Sequence, residues 1–97
     1  MKAEHRKILT ECVAVKGISN RRDIAVEEMA ELIKELSKNG RGEDNRQQII
    51  EEMADVYVTL NGLRVGFCIR DLEIDEVIEF KMKRLADRLE RWKNDAK

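Results

Sequence analysis

The heptapeptide "VEEMAEL" at Val26–Leu32 returns as "IEEMADV" at Ile50–Val56. Both read apolar, Glu, Glu, Met, Ala, acid, apolar. Apolar residues three and four apart share one face of an α-helix, and neither copy alternates as a strand would. Met29 and Leu32 lie within the first copy, and extending it outward adds Ile24, Ala25, Ile33 and Leu36. The pattern predicts a helix that Ser19 or Asn20 caps and that runs to about Lys38. The second copy extends through Ile49, Met53, Tyr57, Leu60 and Leu63, with Asp44 or Asn45 as cap and an end near Phe67 or Ile69. Between them "NGRGEDN" supplies two glycines and polar turn formers.

Two further helices flank this pair. From Lys2 to Val15 an apolar stripe of Ile8, Leu9, Cys12, Val13 and Val15 ends at Gly17. After the joint "RDLEID", a last helix turns Ile74, Val77, Ile78, Met82, Leu85, Leu89 and Trp92 inward. The segments around the two heptapeptides differ, which excludes a solenoid repeat. The expectation is an all-α, four-helix bundle-like protein with residues 1–97 as a single domain.

The 97 residues include no proline and only four aromatics: Tyr57, Phe67, Phe80 and Trp92. Charged side chains make up 40%, yet they cancel to a net charge of -1. That balance offers nothing to draw the chain to nucleic acid or an anionic membrane. No run approaches the roughly 20 apolar residues of a membrane span, and "MKAEHRKILTECVAVKG" lacks a signal-peptide core. Cys12 and Cys68 form no CxxC and are expected as free thiols in a reducing compartment, the cytoplasm. A chain this short buries a modest core, so self-association is expected.

At roughly 100° per residue, with Ile24 at zero, the apolar side of its helix centres near roughly 115°. Glu28, Glu31 and Glu35 fall at roughly 40°, 340° and 20°, one stripe on the flank of that side, while Glu27 points to solvent. No basic residue is expected on this stripe. On the other helix Glu52, Asp55 and Thr59 form the equivalent flank, and Glu51 points away. Residues three apart lie side by side, so antiparallel packing lets Glu28 and Glu31 converge on Glu52 and Asp55. Four such carboxylates repel one another unless they take up protons or a cation. An all-oxygen set suits Mg²⁺ or Mn²⁺. Di-iron bundles use Glu-x-x-His, and here the third-position partners are acids and the only histidine is His5.

Glu28-x-x-Glu31, a gap of about twenty residues and Glu52-x-x-Asp55 together resemble the signature of the MazG-like all-α nucleoside triphosphate pyrophosphohydrolases. The framing strings "AVEEMAELIKELSK" and "IIEEMADVYVTL" are similar too, as is the basic C-terminal "EFKMKRLADRLERW". The resemblance spans about Asp23 to Arg91. It implies Mg²⁺-dependent cleavage of an NTP or dNTP between the α and β phosphates, giving a monophosphate and pyrophosphate. It implies Glu28, Glu31, Glu52 and Asp55 as metal-binding and catalytic residues, with Glu28 or Glu31 taking the water's proton. It also implies phosphate contacts from Lys81, Arg84 and Arg88, which share one helix face, and a homodimer or homotetramer. Some short relatives carry Trp-Gly and then Gln ahead of the first motif, where this chain has Lys16-Gly17 and Arg21. Arg21 and Arg22 are secondary candidates for phosphate contact. Tyr57 and Trp92 sit at apolar helical positions that favour core packing over base stacking. Phosphoribosyl-ATP pyrophosphohydrolase shares the acidic motifs and is the nearest alternative. Others are a non-catalytic helical assembly protein and a nucleotide sensor that releases no pyrophosphate.

Overall fold

The computed structural model describes residues 1–96. Three α-helices account for nearly all of them: α1 Ala3–Gly40, α2 Arg46–Gly66 and α3 Asp71–Asp95. The two segments expected before and after Gly17 follow one another without a loop. Gly17 alone leaves the helical region, at φ 84° and ψ 167°, a conformation open to glycine because it has no Cβ. Ser19 and Asn20 therefore cap nothing. Their side chains instead accept hydrogen bonds from Arg22 (3.5 Å) and Arg21 (3.0 Å).

The turn after α1 is a Schellman closure. Glu43 N–H donates to Lys38 O, Gly42 N–H donates to Asn39 O, and Gly42 takes the left-handed position at φ 97°. The end of α2 repeats this motif with a different residue. Ile69 N–H donates to Arg64 O at 2.8 Å and Cys68 N–H to Val65 O at 3.2 Å, but the left-handed residue is Cys68, at φ 56°. A side chain there costs about 1 kcal/mol or more that glycine avoids. Cys68→Gly is therefore expected to raise stability by about 1 kcal/mol, read as a higher urea midpoint with an unchanged slope. A lower midpoint would mean that the thiol makes a contact worth more than the strain.

The extensive packing is α1 against α2; the start of α3 meets α2 where Ile74 and Ile78 line a crease with Leu60, Leu63 and Arg64. The kink lets both arms of α1 lie on the C-terminal half of α2. Leu9 and Arg21 meet Gly62, while Val13 and Ile18 meet Gly66. The two glycines are one turn apart and let the helices approach closely.

The four-helix bundle expected from the sequence is not closed within one chain. Leu9 and Ala25 are the buried apolar residues, at 7% and 3% exposure. Each apolar stripe of the hairpin divides. Ile24, Leu32, Ile49, Val56 and Leu63 turn toward the seam, whereas Val26, Met29, Ile33, Leu36, Ile50, Met53, Tyr57 and Leu60 stay exposed. α3 buries nothing fully, and Val77, Ile78, Met82, Leu85, Leu89 and Trp92, expected inside, are exposed. The physical reason is the joint. Asp71 at the start of α3 bridges Arg64 at 3.0 Å and Arg6 at 3.4 Å, and α3 leaves this anchor without lying along the hairpin. Cys12 and Cys68 are free thiols. Among the described residues no helix is long and apolar enough to cross a membrane.

Candidate functional site

The seam between α1 and α2 is only partly apolar. From α1 it receives Ala25, Glu28, Leu32 and Glu35, and from α2 Ile49, Glu52, Val56 and Thr59, with Asn45 just ahead of that helix. Of the acids expected on the flank, Glu28, Glu35 and Glu52 thus sit at the helix–helix contact itself, while Glu31 and Asp55 stay exposed beside it. Glu28, Glu52 and Asp55 each bring a carboxylate oxygen within 4.8 Å of the others. Glu28 and Glu52 are half-buried and Asp55 is exposed. Glu27 and Glu51, the first acids of each pair, face solvent as the helical phase requires.

Glu31 is not in this group. It is exposed on α1, one turn beyond Glu28. Its charge still reaches the site. Burial raises the pKa of the Glu28 carboxyl first, and the charges of Asp55 and Glu52, a hydrogen bond to Asp55 and the charge of Glu31 raise it further. Burial also raises Glu52 first, followed by the charges of Asp55, Glu31, Glu35 and Glu51. Removing these carboxylates from water disfavours their ions, and crowding compounds the effect.

Glu35 has the opposite fate. Asn45 Nδ2 donates to its Oε2 at 2.7 Å and to its backbone oxygen at 2.9 Å, and Lys38 Nζ lies 3.3 Å from Oε1. The Asn45 bond, assisted by Lys38, holds its carboxyl below the usual range. Both of its oxygens are engaged, so Glu35 ties α1 to the start of α2 and is removed from ligand duty. Asn45 begins α2, as expected, but its side chain makes no cap bond and is spent on this tie. Lys38 corrects the expectation of a stripe without cations. It is three residues beyond Glu35 on the same face, a placement the helical angle already contained.

Glu52 Oε2 is buried and has no hydrogen-bond partner. An ionised oxygen in that position is costly without a proton or a cation. Three carboxylates with one orphaned oxygen form an all-oxygen donor set that fits Mg²⁺ or Mn²⁺. His5 belongs elsewhere, lining a crease with Ile8, Leu9, Val58 and Asn61.

Lys81, Arg84 and Arg88 do share one face of α3 and line a shallow concavity with Leu85. The Arg84 guanidinium also lies over the Phe80 ring, 5.9 Å from its centroid. That concavity shares no residue with the Glu28–Glu52–Asp55 cluster. Arg21 is folded over Gly62 near the kink, with a buried Nε that has no partner. Tyr57 and Trp92 are 63% and 54% exposed, so neither is core in the single chain.

Comparison of the chain with known protein families, with curated proteins and with solved structures returns no match.

Proposed function

We propose that this protein is a Mg²⁺-dependent nucleoside triphosphate pyrophosphohydrolase of the MazG-like type, acting on an NTP or dNTP as a homodimer or homotetramer. The observation that carries the proposal is the meeting of the two acidic repeats. Glu28 from one and Glu52 and Asp55 from the other converge within 4.8 Å, although nothing in helical packing alone calls for acids at a seam. Charge repulsion there is tolerable if the site exists to be neutralised.

Glu28, Glu52 and Asp55 would hold the ion, and Glu31 completes the acidic set from the exposed side. A bound Mg²⁺ offsets triphosphate charge and makes a nearby water more acidic. The chain's own task is placement. Water adds across the anhydride between the α and β phosphates, the bridging P–O bond breaks, and the water's proton passes to a carboxylate. Glu31, outside the trio and open to solvent, is suited to take that proton and return it to bulk. Lys81, Arg84 and Arg88 supply the positive charge that a polyphosphate tail needs beyond the metal.

The test is a release screen. All common NTPs and dNTPs are offered with Mg²⁺, and an added pyrophosphatase converts pyrophosphate to phosphate. The expected result is phosphate that depends on the coupling enzyme and disappears with a chelator. Absence of release from every nucleotide would overturn the catalytic assignment. If Mg²⁺ also failed to shift the unfolding temperature, a helical assembly protein would be the better account, and the exposed apolar stripes suit one. A companion variant checks the helical phase. Glu51→Gln is expected to leave kcat/KM within about twofold, because an exposed residue pointing away from the reaction contributes little. A tenfold loss would place Glu51 in the site.

A further inference from the structure

The dipeptide Asn-Gly occurs twice, at Asn39–Gly40 and Asn61–Gly62. Asparagine followed by glycine is prone to lose its side-chain amide in water. The backbone nitrogen after the asparagine attacks the side-chain carbonyl carbon, and glycine, having no Cβ, leaves that approach unhindered. A helix opposes the reaction, because it holds the attacking N–H in a hydrogen bond to the preceding turn. The surroundings of each pair therefore decide which one reacts.

Asn61–Gly62 is locked. It lies inside α2, more than a turn before the end of that helix at Gly66. Arg64 Nη1 donates to Asn61 Oδ1 at 3.3 Å. Gly62 is buried against Leu9 and Arg21, so opening the backbone there would undo the contact between α1 and α2.

Asn39–Gly40 is the last pair of α1. Every residue from Asn39 to Asp44 is exposed, and nothing lies within 4 Å of where a Gly40 Cβ would stand. The Asn39 amide makes one long bond, from Nδ2 to Glu43 O at 3.4 Å. Opening this turn disturbs the Schellman bonds of Gly42 and Glu43 and uncovers no buried side chain. Helix ends open locally at far less cost than global unfolding.

We propose that Asn39 is a site of spontaneous modification, whereas Asn61 is protected by the fold. The Gly40 nitrogen bonds to Asn39 Cγ, ammonia leaves, and water opens the resulting cyclic imide to aspartate or isoaspartate. One amide becomes one carboxylate, with water consumed, ammonia released and no change of oxidation state. Either product weakens the joint between the two acidic repeats. In isoaspartate the main chain runs through the former side chain, so the carbonyl that accepts from Gly42 at 2.9 Å leaves the backbone as a free carboxylate. Aspartate places a negative charge in the last turn of α1, where the helix dipole disfavours it, and four residues from Glu35, where like charges repel. Glu35 is the tie to Asn45, and modification loosens it. None of this depends on the pyrophosphohydrolase assignment.

The test keeps the full chain at mildly alkaline pH, with and without urea. Peptides covering Leu36–Glu43 and Met53–Glu73 are followed by mass, and isoaspartate is counted by enzymatic methylation. In the folded protein the first peptide is expected to show the amide-to-acid mass gain and to carry isoaspartate, while the second stays unchanged. In urea both are expected to convert. Gly40→Ala, whose methyl meets open space, is expected to block conversion at Asn39 and to retain the thermal midpoint that wild type loses on ageing. An unconverted Asn39 in the folded chain would overturn the proposal. So would equal rates at Asn39 and Asn61 in the folded chain, or an Asn61 that resists conversion in urea. A fully converted protein with the midpoint of the fresh one would overturn the loosening of the tie.

Discussion

Glu52→Gln is expected to reduce pyrophosphate release by about 10²–10⁴-fold, the range for loss of a group acting directly at the reaction centre, while the helical circular dichroism remains. Glu52 is the residue to test because its Oε2 is buried without a partner. The amide keeps the volume and one acceptor oxygen but cannot carry the charge an ion requires. The same substitution has a second effect of opposite sign. Burial and neighbouring carboxylates raise the folded-state pKa of Glu28 and Glu52. The folded protein therefore holds protons that the unfolded chain has released, and stability falls as pH rises from the ordinary carboxylate value through the raised one. Gln carries no charge at any pH, so the variant should unfold at a higher temperature than wild type at pH 7 without metal, and should lose the response to Mg²⁺. Turnover equal to wild type would remove Glu52 from the site. A drop in metal-free stability would mean that the carboxylate serves as an unseen structural partner.

Much of this site was legible before any coordinates. Helical phase alone separated Glu28 and Glu52 from Glu27 and Glu51, because angles around a helix axis follow from residue number and nothing else. The same phase placed Lys81, Arg84 and Arg88 on one face, and glycine's freedom at positive φ located the break at Gly17. Partner choice was not legible. An apolar residue declares that it needs cover without declaring which element supplies it. Met29, Leu85 and Trp92 were therefore assigned to a core that one chain does not form. Glu35 shows the same limit on the polar side. Its angle is that of Glu28 and Glu31, but Asn45, ten residues away across the turn, decides that it becomes a tie. The Schellman closure at Cys68 was hidden because the residue that marks this motif is normally glycine.

Leu85→Glu is expected to dissociate the protein and, with it, most of the fold. Leu85 sits mid-stripe on α3 and is 42% exposed in the single chain, so within a monomer a carboxylate there would cost almost nothing. In a two-fold assembly the same change acts twice. Each copy forfeits the part of the leucine's burial that assembly adds, about 1 kcal/mol, and then faces the cost of desolvating a charge beside apolar neighbours, ~1–3 kcal/mol or more. Two copies remove at least about 4 kcal/mol, or about 10³-fold in the dimer dissociation constant. Leu9 and Ala25 are the buried apolar residues, so little would hold the freed hairpin against chain entropy. Light scattering should report a monomer, and the helical signal should fall at micromolar concentration. The wild-type unfolding temperature should itself rise with protein concentration, as mass action demands of a coupled fold and assembly. Lys83→Glu is the control. It lies on the opposite side of α3 and should shift stability by no more than about 0.5 kcal/mol. A Leu85→Glu protein that stays dimeric with an unchanged midpoint would show that the stripe faces solvent in the assembly too.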